Sequence, residues 1–418
     1  MSNKRNIIVA IGDFSNKQAL SVKRYNSSYK ILLLRDKIHE ASDAMRNKKV
    51  DYIEYVDFSN GDSIEKVFAK YPDTLGITAR GESGVQELIN VIPYVPYLRT
   101  PTSESLEWCL DKYLMRRKLK KFCPANNPKF TLVKTGDKDD IDRIINKIGF
   151  PMIVKPANLE ASVLVSICYH RTELEKVLKR IQKKVASEYN KLRRNQPPRI
   201  IAEEFMDGDM YSVDSYVDSR GKVTHCPLVK IKTGKYKGHD DFYNYLRVTP
   251  VKLKSETINN AQTVASNAIH ALGLRSSTAH IELMKLDNDW KIIEVGARMG
   301  GFRHELYNLS CGIDHYLNDV LIRIPKPLVL PKKCTAFSAA LRYYPDSEGV
   351  IKSITGLKKV KGLESVVRVT QKLKLGDKAV YSKNGGKGVF DIVLKNPDRS
   401  NLLADIRRIE HELKVKVV

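Results

Sequence analysis

Two glutamates in the second half of the chain have the spacing and surroundings of a metal-binding pair. Residues 280–301, HIELMKLDNDWKIIEVGARMGG, predict two strands joined by an Asp-Asn-Asp turn at 287–289. On such a hairpin Glu282 and Glu294 can lie side by side among apolar residues, where an unpaired carboxylate is costly to bury. Mg²⁺ relieves that cost because it takes oxygen ligands and shares its remaining shell with phosphates. The pattern therefore predicts a magnesium and phosphate site, and the alternative is a hairpin with two outward-facing acids.

Fixed positive charges accompany this pair along the chain. Arg298 follows Glu294 by four residues and stands before Gly300 and Gly301, whose backbone is flexible. Lys155 ends the apolar run PMIVK, and a lysine at the end of a strand is a compact point charge for a phosphate. A lysine on an edge strand is the alternative for Lys155.

Length and composition predict a globular protein of several domains. The 418 residues are 42% hydrophobic and 29% charged, which is enough for two to four domains with sizeable cores. We expect no membrane span, since the chain has no apolar run of about 18 residues. The start, MSNKRNIIVAIGDF, lacks a signal peptide pattern, and six cysteines occur without a CxxC pair. These features predict reduced thiols in a cytoplasmic protein.

The formal net charge of +24 indicates nucleic-acid binding, an acidic substrate or a lysine-rich proteome. The basic residues are denser on two predicted helices, at 116–121 and 179–194. Neither run has the interleaved aromatic residues of a single-strand-binding surface. We therefore interpret both runs as solvated helix faces and do not expect nucleic acid as a partner.

Five short motifs follow one another in a fixed order. They are DKYLMR at 111–116, PMIVKPA at 151–157, IIAEEF at 200–205, HIEL at 280–283 and EVGARMGG at 294–301. This succession resembles the ATP-grasp superfamily. Residues 75–90, LGITARGESGVQELIN, and the later AALRYYPDSEGVIKSITGL are similar to one group within it, the carboxylate–amine ligases that include the bacterial L-amino acid ligases and dipeptide synthetases.

The resemblance implies a fold of mixed α/β and α+β class in four parts. Residues 1–100 would form a doubly wound pre-grasp α/β domain, and 101–198 a linker helix with the small lid subdomain of the ATP grip. Residues 199–324 would form the large subdomain with the metal site, and 325–418 a strand-rich α+β domain. Within the second part the sequence predicts one helix from about 103 to 121.

The resemblance also implies a function. The protein would use ATP and Mg²⁺, with Mn²⁺ as an alternative, to convert a carboxylate to an acyl phosphate that an amine then attacks. Both substrates would be small molecules, most simply amino acids, and a homodimer is left open. The alternatives are a carboxylate–thiol or carboxylase-like ligase, and a regulatory protein that binds nucleotide without turnover.

Site residues carry over by motif. Glu282 and Glu294 would hold the metal, and Arg298 would stabilise the transferred phosphoryl group and the acyl phosphate. Lys112 and Lys155 would contact the nucleotide phosphates, with Lys155 also counted as catalytic. The remaining nucleotide-binding residues, in the lid and in the segment that reads the adenine, would be Ser162, Glu203, Glu204, Met206 and Asp209.

Three departures from the family pattern accompany these roles. The lid loop at 157–162 contains no glycine, so its backbone amides approach a phosphate less easily and Ser162 would donate a hydroxyl instead. The expected ribose-binding glutamate is Met210, which leaves Asp209 as its substitute. Gly296 occupies the place where many relatives have an asparagine.

Four further positions have two interpretations each. Glu82 would bind a substrate amine or cap the helix that follows it, and capping is favoured. The lysine-rich loop at 230–239 would close over an anionic substrate or remain solvated. His280 is expected to be a packed strand histidine rather than a ligand. His304 and Glu305 would line the acceptor pocket or simply begin a helix.

Overall fold

The computed structural model describes residues 5–42, 49–160, 162–194, 196–287, 289–324 and 326–418. Ala161 of the lid loop, Asn288 of the predicted turn and Pro325 at the predicted domain boundary lie outside the described residues. Across these ranges we find no helix with both the length and the apolar character needed to cross a membrane.

The first hundred residues form a parallel sheet with helices, as the alternating pattern predicts. The elements in chain order are β1 (Ile7–Ile11), α1 (Asn16–Tyr25), β2 (Lys30–Asp36), β3 (Tyr52–Val56), α2 (Gly61–Lys70), β4 (Thr74–Ala79) and α3 (Gly81–Val91). The strand order is β3-β2-β1-β4. β1 and β2 are apolar over most of their length because helices cover parallel sheets on both faces. The carboxyl end of β4 places Arg80 at the sheet edge where open α/β sheets bind ligands.

The linker contains two helices where the sequence predicted one. They are α4 (Ser103–Leu110) and α5 (Lys112–Phe122), and they meet at Asp111. Asp111 has extended backbone angles, and its side chain accepts a hydrogen bond from the Leu114 amide, so it caps α5. The single-helix prediction was wrong because this local cap ends one helix and starts the next. The break places Lys112 in the first turn of α5.

A small antiparallel sheet follows the linker. Its elements are β5 (Phe130–Leu132), α6 (Lys138–Ile148), β6 (Met152–Pro156), β7 (Ser166–Cys168), α7 (Arg171–Lys191) and β8 (Ile200–Glu204). The strand order is β5-β8-β6-β7, and the apolar faces of α6 and α7 share one core with these strands. β8 therefore pairs with strands of the predicted lid subdomain, although it lies after position 198.

A nine-stranded sheet forms the centre of the molecule. The elements from position 209 onwards begin with β9 (Asp209–Val217), β10 (Val223–His225), β11 (Val229–Thr233), β12 (Asn244–Thr249), α8 (Ser255–Ala271), β13 (Ser277–Leu286), β14 (Asp289–Gly296), α9 (Arg303–Cys311) and α10 (His315–Leu321). The later elements are β15 (Phe337–Tyr343), β16 (Gly349–Thr355), α11 (Leu357–Lys361), β17 (Val366–Gln371), β18 (Lys378–Ala379), β19 (Phe390–Asn396), α12 (Arg399–Glu412) and β20 (Lys414–Val417).

The central sheet has the strand order β14-β13-β9-β11-β12-β15-β19-β17, with β10 paired to β9. It therefore continues across position 324 into the C-terminal quarter of the chain. The domain boundaries themselves stay a prediction. β16, β18 and β20 form a separate small sheet.

Two cysteines contradict the prediction of reduced thiols. Cys311 at the end of α9 is joined to Cys334 by a disulfide. The pairing was invisible in the sequence because 23 residues separate the two positions. The fold brings them together, since the amides of Thr335 and Ala336 donate to the Ser310 carbonyl beside Cys311. Cys109, Cys123, Cys168 and Cys226 are free and buried.

Candidate active site

One cavity of about 880 Å³ collects side chains from the pre-grasp sheet, the linker, the small sheet and the central sheet. Its size suits a ligand larger than a single amino acid. Every residue assigned a site role from the sequence lines this cavity. They are Lys112, Lys155, Ser162, Glu203, Glu204, Met206, Asp209, Glu282, Glu294 and Arg298.

The predicted hairpin is confirmed, and its two glutamates are direct cross-strand neighbours. β13 pairs with β14 so that Glu282 lies opposite Glu294, and both side chains line the cavity. The Glu282 side chain is 17% exposed and lies 3.5 Å from Nε2 of His280. Burial acts to raise the pKa of Glu282, but the hydrogen bond and charge of His280, with Arg303 and Arg298, lower it to about 2. Glu282 is therefore ionised at neutral pH.

The donor set fits Mg²⁺ bound mainly through phosphates. The described residues contain no group of three or more acidic, histidine or cysteine side chains that could hold a metal without a substrate. Two carboxylates facing the cavity match the way Mg²⁺ binds in nucleotide sites, where one or two carboxylates and the phosphates complete the shell. Glu282 and Glu294 are therefore the residues that would hold Mg²⁺.

Lys112 links the linker helix to the metal pair. Its Nζ lies 3.0 Å from Oε1 of Glu294 and donates to the Leu159 carbonyl at 2.9 Å. Burial acts to lower the pKa of Lys112, but Glu294 and Glu82 raise it above the ordinary value. Lys112 therefore remains charged beside the cavity, in a position fixed by the start of α5.

Lys155 belongs to a buried ionic triad. Its Nζ lies 2.7 Å from one oxygen of Glu203, and Nε of Arg116 lies 2.8 Å from the other. The two cations lower the pKa of Glu203 to about 2 against the opposing effect of burial. Arg116 also donates to the carbonyls of Ile292 and Ile293 on β14, each at 2.7 Å. The triad thus connects the small sheet, α5 and the metal hairpin.

Arg116 was predicted to lie on a solvated helix face, and this prediction was wrong. Its side chain is fully buried because α5 packs against the metal hairpin on this side. Arg116 was missed because the charges of the basic run do not show which face of the helix is buried.

In the segment at the end of β8, which is predicted to read the adenine, two backbone amides already have partners in the protein. The Glu204 amide donates to the Lys129 carbonyl, and the Phe205 amide donates to the Pro151 carbonyl. Among the residues that the structure describes, none accepts a hydrogen bond from the Met206 amide. Asp209, the predicted substitute for the ribose-binding acid, accepts from Nζ of Lys230 at 2.8 Å.

The glycine-free lid loop adopts backbone angles that glycine usually supplies. Ser162 has φ 61° and Leu164 has φ 58°, so both residues occupy the left-handed region. The loop is also tied to the C-terminal part of the chain, because the Leu164 amide donates to the Lys383 carbonyl. Lys383 in turn donates hydrogen bonds to Asp240 through Nζ and to Asp241 through its backbone amide, and these two aspartates directly follow the lysine-rich loop.

Arg298 is held by Glu82 from the pre-grasp domain. Its Nη2 lies 2.8 Å from Oε1 of Glu82, and its Nε lies 3.0 Å from the same oxygen. The favoured prediction that Glu82 caps α3 was wrong, because its buried carboxylate points to a guanidinium 216 residues away. This pair orients Arg298 at the edge of the cavity.

A buried network that sequence reasoning missed supports the metal hairpin. Asp214 on β9 accepts hydrogen bonds from His280 at 2.6 Å, from His315 at 2.8 Å and from the Gly300 amide at 2.8 Å. Its neighbours lower the pKa of Asp214 well below the usual range, although burial opposes this. Nothing in the run YSVDSYV distinguishes this acid from a surface residue. His280 is packed as predicted, and it connects Asp214 to Glu282.

The comparisons with known proteins agree with this geometry. Residues 148–305 match the ATP-grasp domain family. The fold is similar to a crystal structure of an L-amino acid ligase from Bacillus licheniformis, with a TM-score of 0.83, 21% identity and coverage of 100% of both chains. It is also similar to N5-carboxyaminoimidazole ribonucleotide synthetase from Thermotoga maritima, with a TM-score of 0.69, 16% identity and coverage of 99% and 100%. The chain therefore contains an ATP-grasp domain and has the ATP-grasp fold.

Two curated proteins with similar sequences are D-alanine–D-alanine ligases. The chain is 26% identical over 259 residues to the enzyme of Sodalis glossinidius, covering 59% of this chain and 64% of that ligase. It is 27% identical over 204 residues to the enzyme of Wigglesworthia glossinidia brevipalpis, covering 46% and 52%. The chain thus spans between about half and two thirds of the length of these curated relatives.

Proposed function

We propose that the protein is an ADP-forming ligase that activates a carboxylate with ATP and Mg²⁺ and joins it to an amine. The observation that carries the proposal is that one cavity is lined by all ten predicted site residues, with Glu282 and Glu294 as direct cross-strand neighbours. The ATP-grasp domain and the similarity to D-alanine–D-alanine ligases support the same class of reaction. Amino acids are the proposed substrates, and a cytoplasmic location is part of the proposal.

The reaction has two steps whose atoms balance. A carboxylate oxygen attacks the γ-phosphorus of ATP, the bond from that phosphorus to the β–γ bridging oxygen breaks, and ADP leaves. The amine nitrogen then attacks the acyl carbon, the carbon–oxygen bond to the phosphate breaks, and the nitrogen releases a proton. The departing phosphate keeps the carboxylate oxygen that made the attack.

The side chains of the cavity suit this chemistry because phosphoryl transfer depends mainly on positioning and on cations around developing charge. Lys112 and Lys155 would hold the phosphates, and Arg298, oriented by Glu82, would face the oxygens of the acyl phosphate. Mg²⁺ held by Glu282 and Glu294 would add positive charge that offsets the charge developing on the phosphates. The two sheets around the cavity would exclude water, which protects an acyl phosphate from hydrolysis.

The test measures ADP release with purified protein across all pairs of amino acids, with product masses determined for each active pair. Repeating an active pair with ¹⁸O in both carboxylate oxygens of the donor should transfer one labelled oxygen to inorganic phosphate. Release of AMP, or phosphate without label, would contradict the proposal. ADP release without any amino acid would indicate a simple ATPase and would also contradict it.

A further inference from the structure

One end of the cavity lies beside the start of α9 and contains two arginines that have no carboxylate within 4 Å. Arg80 follows β4 and Arg247 lies on β12, and both line the cavity. Among the described residues no carboxylate lies within 4 Å of either guanidinium. Within the described residues the side chain of Arg247 makes one hydrogen bond, from Nη1 to the Asn244 carbonyl at 3.0 Å, although the residue is only 6% exposed.

The neighbouring arginines differ because each has a carboxylate within 4 Å. Arg298 is held by Glu82. Arg303 lies 3.9 Å from Asp214 and also donates to the Ser212 hydroxyl and the Gly301 carbonyl. Arg342 lies 3.1 Å from Asp391. Among the arginines of the described residues that line the cavity, only Arg80 and Arg247 thus lack a carboxylate within 4 Å.

Both unpartnered guanidiniums converge on the start of α9. Arg247 lies over the Phe302 ring, with 5.2 Å between its Cζ and the ring centroid. Arg80 lies 5.4 Å from the ring of Tyr316, which stacks on His304 at 4.4 Å. The pKa of His304 falls to about 4 because of burial and then the charge of Arg80. His304 is therefore neutral at pH 7 and adds no positive charge for an anion. The amino-terminal end of α9 adds positive potential at the same place.

A buried cation without a partner is costly, and it is retained where a ligand supplies the missing charge. In the proposed reaction the donor carboxylate is consumed, so two neutral amino acids leave one free carboxylate in the product. Two unpartnered arginines match two carboxylates. Resting on the proposed function, we propose that one substrate is an amino acid with an acidic side chain, aspartate- or glutamate-like, whose carboxylate binds Arg247 or Arg80.

The binding test compares each acid with its isosteric amide. L-Glutamate and L-glutamine, and L-aspartate and L-asparagine, are titrated by calorimetry into the protein with Mg²⁺ and a non-hydrolysable ATP analogue. We expect one acid to bind at least about 10-fold more tightly than its amide, since a desolvated charge pair is lost in the amide. In Arg247→Met or Arg80→Met this ratio should fall towards one, and Arg247→Lys should keep part of it.

Controls separate recognition from folding. Arg220→Met removes an exposed arginine after β9 and should keep the wild-type ratio. If Arg247→Met does not fold, as judged by circular dichroism, the half-buried Arg80 carries the test. Equal binding of acid and amide by the wild type would overturn the inference, and so would equal losses for both ligands in the folded variants.

The same measurements distinguish this inference from the proposed function. Selective binding of the acid without ADP release from any pair would support the acidic subsite and contradict the ligase. ADP release and product formation with no preference for acidic amino acids would support the ligase and contradict the acidic subsite.

Discussion

The two ends of the cavity differ in whether their positively charged side chains are paired with carboxylates. At the end next to the lid, Lys112 is paired with Glu294, and Lys155 shares Glu203 with Arg116. At the other end, no carboxylate among the described residues lies within 4 Å of the Arg80 or Arg247 guanidinium, although Asp319 acts on Arg80 and Glu282 acts on Arg247 from farther away. Both ends would receive anions, so charge alone does not explain the difference.

The difference indicates two ways of binding an anion. Paired cations are fixed before the ligand arrives, which limits the ordering cost of binding and suits phosphates that must be aligned for transfer. An unpaired buried cation is stabilised only by a ligand that carries negative charge. This arrangement suits discrimination between charged and neutral substrates. We therefore expect changes at the lid end to reduce turnover with every substrate, and changes at the other end to alter preference.

The largest effect is expected for Glu294→Gln. The change keeps the shape of the side chain but removes one metal-facing charge and the partner of Lys112. We expect kcat to fall by about 100-fold or more for all substrate pairs, as for loss of one preorganised electrostatic group. ADP release at saturating Mg²⁺ measures this, with Glu54→Gln, which breaks a pair with Lys70 outside the cavity, as the control. Turnover like the wild type would exclude Glu294 from the metal site.

The metal end was more predictable from the sequence than the opposite end, for a physical reason. Glu282 and Glu294 lie on one local hairpin, so strand period and turn position determine that they meet. The order of short motifs was enough to indicate the ATP-grasp fold.

The supporting contacts could not be predicted because they depend on packing between distant segments. Asp214 meets His315 across 101 residues, and Glu82 meets Arg298 across 216. The inward turn of Arg116 depends on which face of α5 meets the hairpin. Such contacts leave no local pattern, since each residue is ordinary in its own stretch of sequence.

A smaller effect, confined to the nucleotide, is expected for Lys155→Ala. One charge-assisted contact to a phosphate is lost, while Arg116 still neutralises Glu203. We expect ATP affinity to fall by about 10- to 100-fold and amino-acid affinity to change little, because a hydrogen bond to a charged group contributes about 1.5–3 kcal/mol. Calorimetric titration with a non-hydrolysable analogue tests this against Lys147→Ala, an exposed lysine on α6. Unchanged nucleotide affinity would make Lys155 purely structural.

A still smaller and unselective effect is expected for the lysines of the predicted loop at 230–239, whose first residues lie on β11 in the structure. Lys232, Lys235 and Lys237 each lie over an aromatic ring, at 3.5, 5.0 and 5.8 Å from the ring centroids of Tyr236, Phe205 and Tyr245. Replacing the three lysines with Gln should change KM for glutamate and for glutamine equally, by about threefold or less, because exposed cation–π contacts contribute about 0.5–1 kcal/mol. A loss confined to glutamate would move charge recognition from the arginines to this loop.

Glu87 on α3 tests what an unpartnered buried charge costs where no ligand can supply a partner. It does not line the cavity, and its Oε2 is buried without a hydrogen-bond partner among the residues described. Burial, then Asp36, raises the pKa of Glu87 to about 7. Below about pH 4.5, the pKa of an unfolded glutamate, Glu87 is protonated in both the folded and the unfolded chain. Between this pH and 7 the carboxyl ionises readily only in the unfolded chain, so the free energy of unfolding falls as the pH rises.

Glu87→Gln should therefore stabilise the fold by about 1 kcal/mol at pH 8 and have no effect near pH 4, within the limit set by linkage. Urea unfolding at both pH values measures this, with Glu65→Gln at an exposed position of α2 as the control. An equal effect at the two pH values, or destabilisation at pH 8, would show that the Glu87 charge is satisfied and that an unpaired carboxylate in this fold does not by itself imply a cost.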